Sequence, residues 1–100
     1  TIEITIPANS DKEYKIQVLE GDVFLYEWEA DNGKLFFDFH GEPKGDTSGY
    51  FKSFKVDTLS IDSGELTTIF AGTHGWYWRN SNLDPVIITL KLSGKYQLLD

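Results

Sequence analysis

The chain has 100 residues, of which 40% are hydrophobic and 25% charged, a composition typical of one globular domain. It contains no cysteine, which excludes a disulfide framework, a thiolate zinc site and a cysteine nucleophile. Its formal net charge is −7, and residues 1–50 carry eleven of the 16 acidic side chains. An acidic surface aids solubility and repels phosphate, so we expect no nucleic-acid partner, and cations become the more suitable ligands.

Alternation of apolar and polar residues predicts two strands at the start of the chain. The run Ile2–Ile6 alternates isoleucine with polar residues and stops at Pro7. Residues 13–18 repeat the alternation after a turn, and a second turn follows them.

Residues 23–40 predict a β-hairpin. Two runs rich in β-forming residues, 23–30 and 35–40, flank Asn32-Gly33, a dipeptide that favours the centre of a type I′ turn. The register counted from this turn places Trp28 opposite Phe37 and gives one face of the hairpin a layer of aromatic side chains. We expect that face to belong to the core.

The other face of the predicted hairpin is a candidate metal site. The register places Glu27 opposite Asp38, and like charges in that position destabilise a strand pair unless something neutralises them. His40 lies two residues further along the same face. Two carboxylates and an imidazole suit Zn²⁺ or another divalent ion, and no other cofactor is predicted. The alternative is a solvated acidic face that nearby basic side chains balance.

The middle of the chain predicts a loop and several short strands. Residues 41–49 hold three glycines and a proline, which indicates a long exposed loop. After it, strands are predicted at residues 50–56, 58–61 and 66–71, with a turn at residues 62–65.

The segment His74-Gly75-Trp76-Tyr77-Trp78-Arg79-Asn80 concentrates aromatic residues and predicts a strand over about residues 74–80. Side chains alternate along a strand, so His74, Trp76 and Trp78 share one face, which we expect to be buried. His74 therefore lies on the face opposite to that of His40, and only a bulge would bring the two together.

This segment is also a candidate ligand site, made of His74, Trp76, Trp78 and Arg79. Trp76 and Trp78 would stack on a sugar ring if they were exposed, which makes a carbohydrate-binding module one alternative. A second alternative is structural, with His74 hydrogen-bonded at the end of a core strand and Arg79 paired with a carboxylate.

A final strand is predicted from residue 86 to about residue 96, which brings the total to about eight or nine strands with no convincing helix. Short strands separated by turn residues indicate an all-β fold, an antiparallel β-sandwich of jelly-roll-like type that occupies residues 1–100 as a single domain. The chain lacks a Gly-x-Ser-x-Gly elbow, a phosphate-binding glycine loop and a His-Glu-x-x-His motif. Although paired acids such as Glu27 and Asp38 can act on glycosides, we expect a binding domain and not an enzyme.

Segments 37–41, 72–80 and 85–90 together resemble a bacterial family known as "transmembrane anchor protein", and the similarity spans roughly residues 13–96. The most specific marks are Asp-x-His-Gly at residues 38–41 and His-Gly-Trp-x-Trp-Arg-Asn at residues 74–80. More weakly, residues 72–80 and the strand after them look like GOLD-type sandwich domains, which are binding modules.

The resemblance implies a location more than an activity. Members of the family carry a membrane helix and a polar linker before such a domain. We therefore expect a periplasmic or other extracytoplasmic domain tethered to the inner membrane through an anchor that this chain does not include. Its partner, a protein or a small ligand, is left unnamed by the resemblance.

Overall fold

Nine β-strands make up the regular structure of residues 1–99, the part of the chain that the computed structural model describes. In chain order they are β1 (Ile2–Ile6), β2 (Ser10–Val18), β3 (Val23–Ala30), β4 (Leu35–Pro43), β5 (Lys52–Leu59), β6 (Ile61–Thr67), β7 (Gly72–Asn80), β8 (Val86–Gly94) and β9 (Gln97–Leu98). Across residues 1–99 we find no helix with the length and apolar character needed to cross a membrane.

The strands form two antiparallel sheets packed face to face. One sheet has four strands in the order β1-β8-β3-β6, and the other has five in the order β5-β4-β7-β2-β9. Pairing is nested along the chain, because β1 pairs with β8, β2 with β7, β3 with β6 and β4 with β5. The predicted all-β antiparallel sandwich is confirmed.

The core between the sheets is aromatic, as the alternation of side chains predicts. Trp28, Phe37, Trp76 and Trp78 are all fully buried. Trp76 and Trp78 lie parallel with their ring centroids 5.8 Å apart, and Trp28 meets Trp78 edge-on at 5.7 Å. Each such side chain contributes roughly 1.5–3 kcal/mol by leaving water, so these rings supply much of the driving force for sheet packing.

The predicted hairpin at Asn32-Gly33 is wrong, because β3 and β4 belong to different sheets. The backbone of β3 is already hydrogen-bonded to β6 on one side and β8 on the other, which leaves no free edge for β4. A type I′ turn needs positive φ at both central residues, whereas here Gly33 has φ 93° and Asn32 is not in that region. The turn carries the chain from one sheet to the other, and Trp28 meets Phe37 across the core at 5.2 Å.

The predicted turn at residues 62–65 is also wrong, because β6 runs straight through it and ends at Thr67. Gly64, the glycine within that predicted turn, instead pairs with Tyr26 inside a regular ladder. A Cβ at Gly64 would stand 2.6 Å from the Tyr26 hydroxyl oxygen. The glycine therefore makes room for the tyrosine ring and does not bend the chain.

Candidate functional site

The candidate site lies on the outer face of the five-stranded sheet, above Gly75 of β7. In the ladder, Gly75 pairs with Lys15 of β2 on one side and with His40 of β4 on the other. Because the glycine has no side chain, the outward side chains of β2 and β4 meet across it. The missing side chain at Gly75 of β7 thus leaves the space in which the site forms.

His40 is held in one orientation. Its Nδ1 lies 3.0 Å from the backbone carbonyl oxygen of Asp38, and its ring meets Phe51 edge-on at 5.2 Å. Only 8% of the residue is exposed. Because a carbonyl can only accept, Nδ1 must carry the proton, and in the neutral imidazole this leaves a lone pair on Nε2.

The free Nε2 of His40 faces two carboxylates. It lies 3.8 Å from Glu42 Oε1 and 4.0 Å from Glu13 Oε2, both beyond hydrogen-bonding distance. One ligand atom from each of the three residues lies within 4.8 Å of the other two. Around an ion with bonds of about 2.1 Å, tetrahedral ligand atoms are about 3.4 Å apart, so small side-chain movements would close the set.

Lys15 lies against the same carboxylates. Its Nζ is 3.3 Å from Glu13 Oε2 and donates a hydrogen bond to Glu42 Oε1. Partial burial lowers the pKa of Lys15, but the contacts with Glu42 and Glu13 outweigh that effect and hold the pKa above its ordinary value. An ammonium group therefore neutralises one of the two carboxylate charges of the cluster in this structure.

The metal site predicted from the sequence is only partly assembled. Glu27 lies on β3, in the four-stranded sheet, so it cannot join His40. Asp38 is on the correct strand, but its Oδ1 accepts a hydrogen bond of 2.8 Å from Ser53 Oγ. The error follows from the wrong hairpin register. Sequence reasoning missed Glu13 and Glu42, although the spacing His40-x-Glu42 was a visible signal once β4 is extended to Pro43.

The four residues predicted to bind a ligand do not share a surface. His74, Trp76 and Trp78 are fully buried, whereas Arg79 lies on the outer face with its Nη1 3.9 Å from Asp11 Oδ2. Because all three tryptophans of the chain are fully buried, no indole is available to stack on a sugar. The ion pair of Arg79 agrees with the structural alternative for that residue.

His74 lies in the core beneath the candidate site, as strand parity predicts. Its ring is parallel to Phe54 at 5.5 Å and close to Phe70 at 5.1 Å. Neither ring nitrogen has a hydrogen-bond partner within residues 1–99, although the Gly72 backbone is near. Burial therefore dominates and lowers the pKa of His74 below its ordinary value.

Comparison with known proteins gives the fold and nothing more specific. No protein-family model matches the sequence, and no curated protein matches it. Among solved structures, one similar chain is described as "Solution NMR structure of a de novo designed double-stranded beta-helix", with a TM-score of 0.53 and 15% sequence identity. The match covers 92% of this chain and 96% of the designed one. At that identity the likeness shows a shared fold alone.

Proposed function

We propose that this chain is a non-catalytic binding domain that takes one divalent transition-metal ion at Glu13, His40 and Glu42. The observation that carries the proposal is the orientation of His40, whose Nδ1 is bound to a backbone carbonyl while Nε2 faces two carboxylates. Histidines that ligate metals usually donate their other ring N–H to such a carbonyl, which fixes the tautomer and the ring plane.

The donor set favours ions that accept imidazole nitrogen. Zn²⁺, Cu²⁺ and Ni²⁺ bind mixed nitrogen and oxygen ligands, whereas Ca²⁺ and Mg²⁺ prefer oxygen alone. Three protein ligands leave at least one position for water or for a group from a partner. The side chains of Glu13 and Glu42 are 50% and 42% exposed. The remaining position of the ion is therefore accessible to a group from a partner, which supports a binding role.

We further propose that the domain is displayed outside the bacterial cytoplasm, as the resemblance of residues 38–41 and 74–80 to the transmembrane anchor family implies. The two motifs are in contact in the fold, which gives their co-occurrence a physical reason. Gly41 lies against the ring of His74, and Gly75 lies between Lys15 and His40.

The nested strand pairing also supports a jelly-roll assignment for the sandwich.

The test is metal titration of the protein without a histidine tag. We expect Zn²⁺ to raise the melting temperature in a concentration-dependent way, because an ion that binds only the native state stabilises it. His40→Gln and Glu42→Gln should remove the shift, and isothermal titration should give one site per chain. The matched control is Glu27→Gln, which removes a carboxylate from the other sheet and should leave binding unchanged.

Two results would contradict the proposal. One is a melting temperature that does not respond to excess Zn²⁺, Cu²⁺ or Ni²⁺. The other is a response that persists unchanged in His40→Gln. Melting curves of each variant without metal show whether it folds, so that a lost shift is not confused with a lost fold.

A further inference from the structure

We infer that Lys15 decides which cations the Glu13–His40–Glu42 site accepts, an inference that rests on the proposed function. Its ammonium group contacts both carboxylates that an incoming ion would need. The ammonium of Lys15 thus competes with an incoming cation for these carboxylates. Removing Lys15 should therefore change both the affinity and the selectivity of the site for cations.

The position of Lys15 is set by the fold and not by chance contact. It pairs with Gly75 in the ladder, and 27% of its side chain is exposed. Lys15 Nζ donates a hydrogen bond to Glu42 Oε1, whereas it forms only an ion pair with Glu13 Oε2, 3.3 Å away. Glu42 is therefore the carboxylate more firmly occupied by the ammonium, and Glu13 is the one more easily released.

Because Lys15 holds Glu42 more firmly than Glu13, it lowers the affinity of the site for some cations more than for others. A transition-metal ion can bond to His40 Nε2, to the released Glu13 and to Glu42 Oε2, while the ammonium of Lys15 keeps its hydrogen bond to Glu42 Oε1. Ca²⁺ gains little from the imidazole and needs several oxygen ligands, so it requires both oxygens of each carboxylate and must displace the ammonium completely. Lys15 consequently disfavours Ca²⁺ and Mg²⁺ more than it disfavours Zn²⁺, even though each ion pair is partly exposed and individually weak.

The experiment compares dissociation constants for Zn²⁺ and Ca²⁺ in the wild type, Lys15→Met and Lys91→Met. Both substitutions remove one positive charge, but Lys91 lies on β8 of the other sheet and controls for net charge. We expect Lys15→Met to bind Zn²⁺ about threefold to tenfold more tightly, the size expected for two partly exposed ion pairs. We expect a larger gain for Ca²⁺, so that the ratio of the two affinities falls.

A second pair of variants separates charge from packing. Lys15→Arg keeps the charge and should keep the discrimination against Ca²⁺, whereas Lys15→Gln removes it and should behave like Lys15→Met. If Lys15→Met does not fold, Lys15→Gln provides the same measurement.

The outcomes distinguish this inference from the proposed function. If the wild type binds Zn²⁺ and Lys15→Met binds both ions with unchanged constants, Lys15 has no such role and the metal site stands. An equal gain for both ions also overturns the inference, because selectivity would then be independent of Lys15. If neither protein binds any ion, the metal site itself is wrong and the inference fails with it.

Discussion

The two histidines of the chain show how one residue type acquires two chemical characters within a single sheet. Gly41 pairs with His74 and His40 pairs with Gly75, so the histidines are neighbours in the ladder but point to opposite faces. His40 meets carboxylates at the surface, whereas His74 is enclosed by Phe54 and Phe70. Only His40 can reach a ligand. The sequence alone predicts this difference, because strand alternation separates residues of opposite parity.

The buried His74 makes stability dependent on pH. Burial lowers its pKa in the folded protein from 6.5, so above pH 6.5 both states hold the neutral ring and the full stability is present. As pH falls below that value the unfolded chain takes up the proton first, and stability is lost until the folded pKa is passed. We expect stability, measured by urea denaturation, to fall as the pH drops below 6.5, with a slope of at most about 1.4 kcal/mol per pH unit for this one group.

His74→Phe should flatten that dependence, because the ring stays aromatic but no longer titrates. The other titratable group near His74 is His40, on the opposite face of the sheet, so His40→Gln is the control and should retain the acid-side loss. An unchanged slope in His74→Phe would show that another group is responsible.

Gly41 owes its identity to the ring of His74. A Cβ at Gly41 would stand 2.8 Å from both Cδ2 and Nε2 of His74, and that ring cannot withdraw because it is stacked on Phe54. We expect Gly41→Ala to lower the free energy of unfolding by about 1–3 kcal/mol, the usual cost of overpacking. The measurement is chemical denaturation in two backgrounds. In His74→Ala the same substitution should cost less, and equal costs in both backgrounds would disprove the clash.

At the scale of elements, the sequence predicts which face of a strand is buried, but it misplaces the strand around residues 61–67 and does not predict which strands are neighbours. The bounds predicted for β3 are those observed, and the burial of Trp28 is confirmed. Its partner is not predicted, because alternation encodes the face of a strand and not its neighbour. The predicted metal ligands were chosen from that wrong strand pairing, so they are partly wrong as well. His40 was found from the sequence, but Glu13 is brought to it only through β7, a relation that no local pattern contains.

Asn80, at the end of β7, links the segment that follows β1 to the segment that precedes β8. Its substitution should therefore lower the stability of the protein. The two N–H groups of its buried amide donate to three carbonyl oxygens, one N–H being shared between two acceptors, with Ile6, Pro7 and Asp84 at 3.2, 3.2 and 2.9 Å. We expect Asn80→Ala to destabilise the protein by about 2–4 kcal/mol, since carbonyl groups would be left buried without donors. Thermal or chemical denaturation gives the value. The control is Asn32→Ala at an exposed position, and a comparable effect of both substitutions would contradict this role for Asn80.

At the scale of the whole molecule, charge and topology act together. The net charge of −7 attracts any cation to the protein as a whole, and the Glu13–His40–Glu42 cluster lies on one sheet face. The fold class was predictable because strand length, turn residues and aromatic alternation all agree. The sheet order was not, because nested pairing depends on burial between segments that are distant in the chain.

The central place of β7 has a consequence for the order of events during synthesis and folding. β2 and β4 share no hydrogen bonds, and β7 joins them from a position more than thirty residues after His40. A nascent chain that has released Glu13, His40 and Glu42 therefore still has no scaffold to bring them together until residue 80 has emerged. Long-range pairing of this kind is slow, so an ion at the proposed site would bind to an already folded protein.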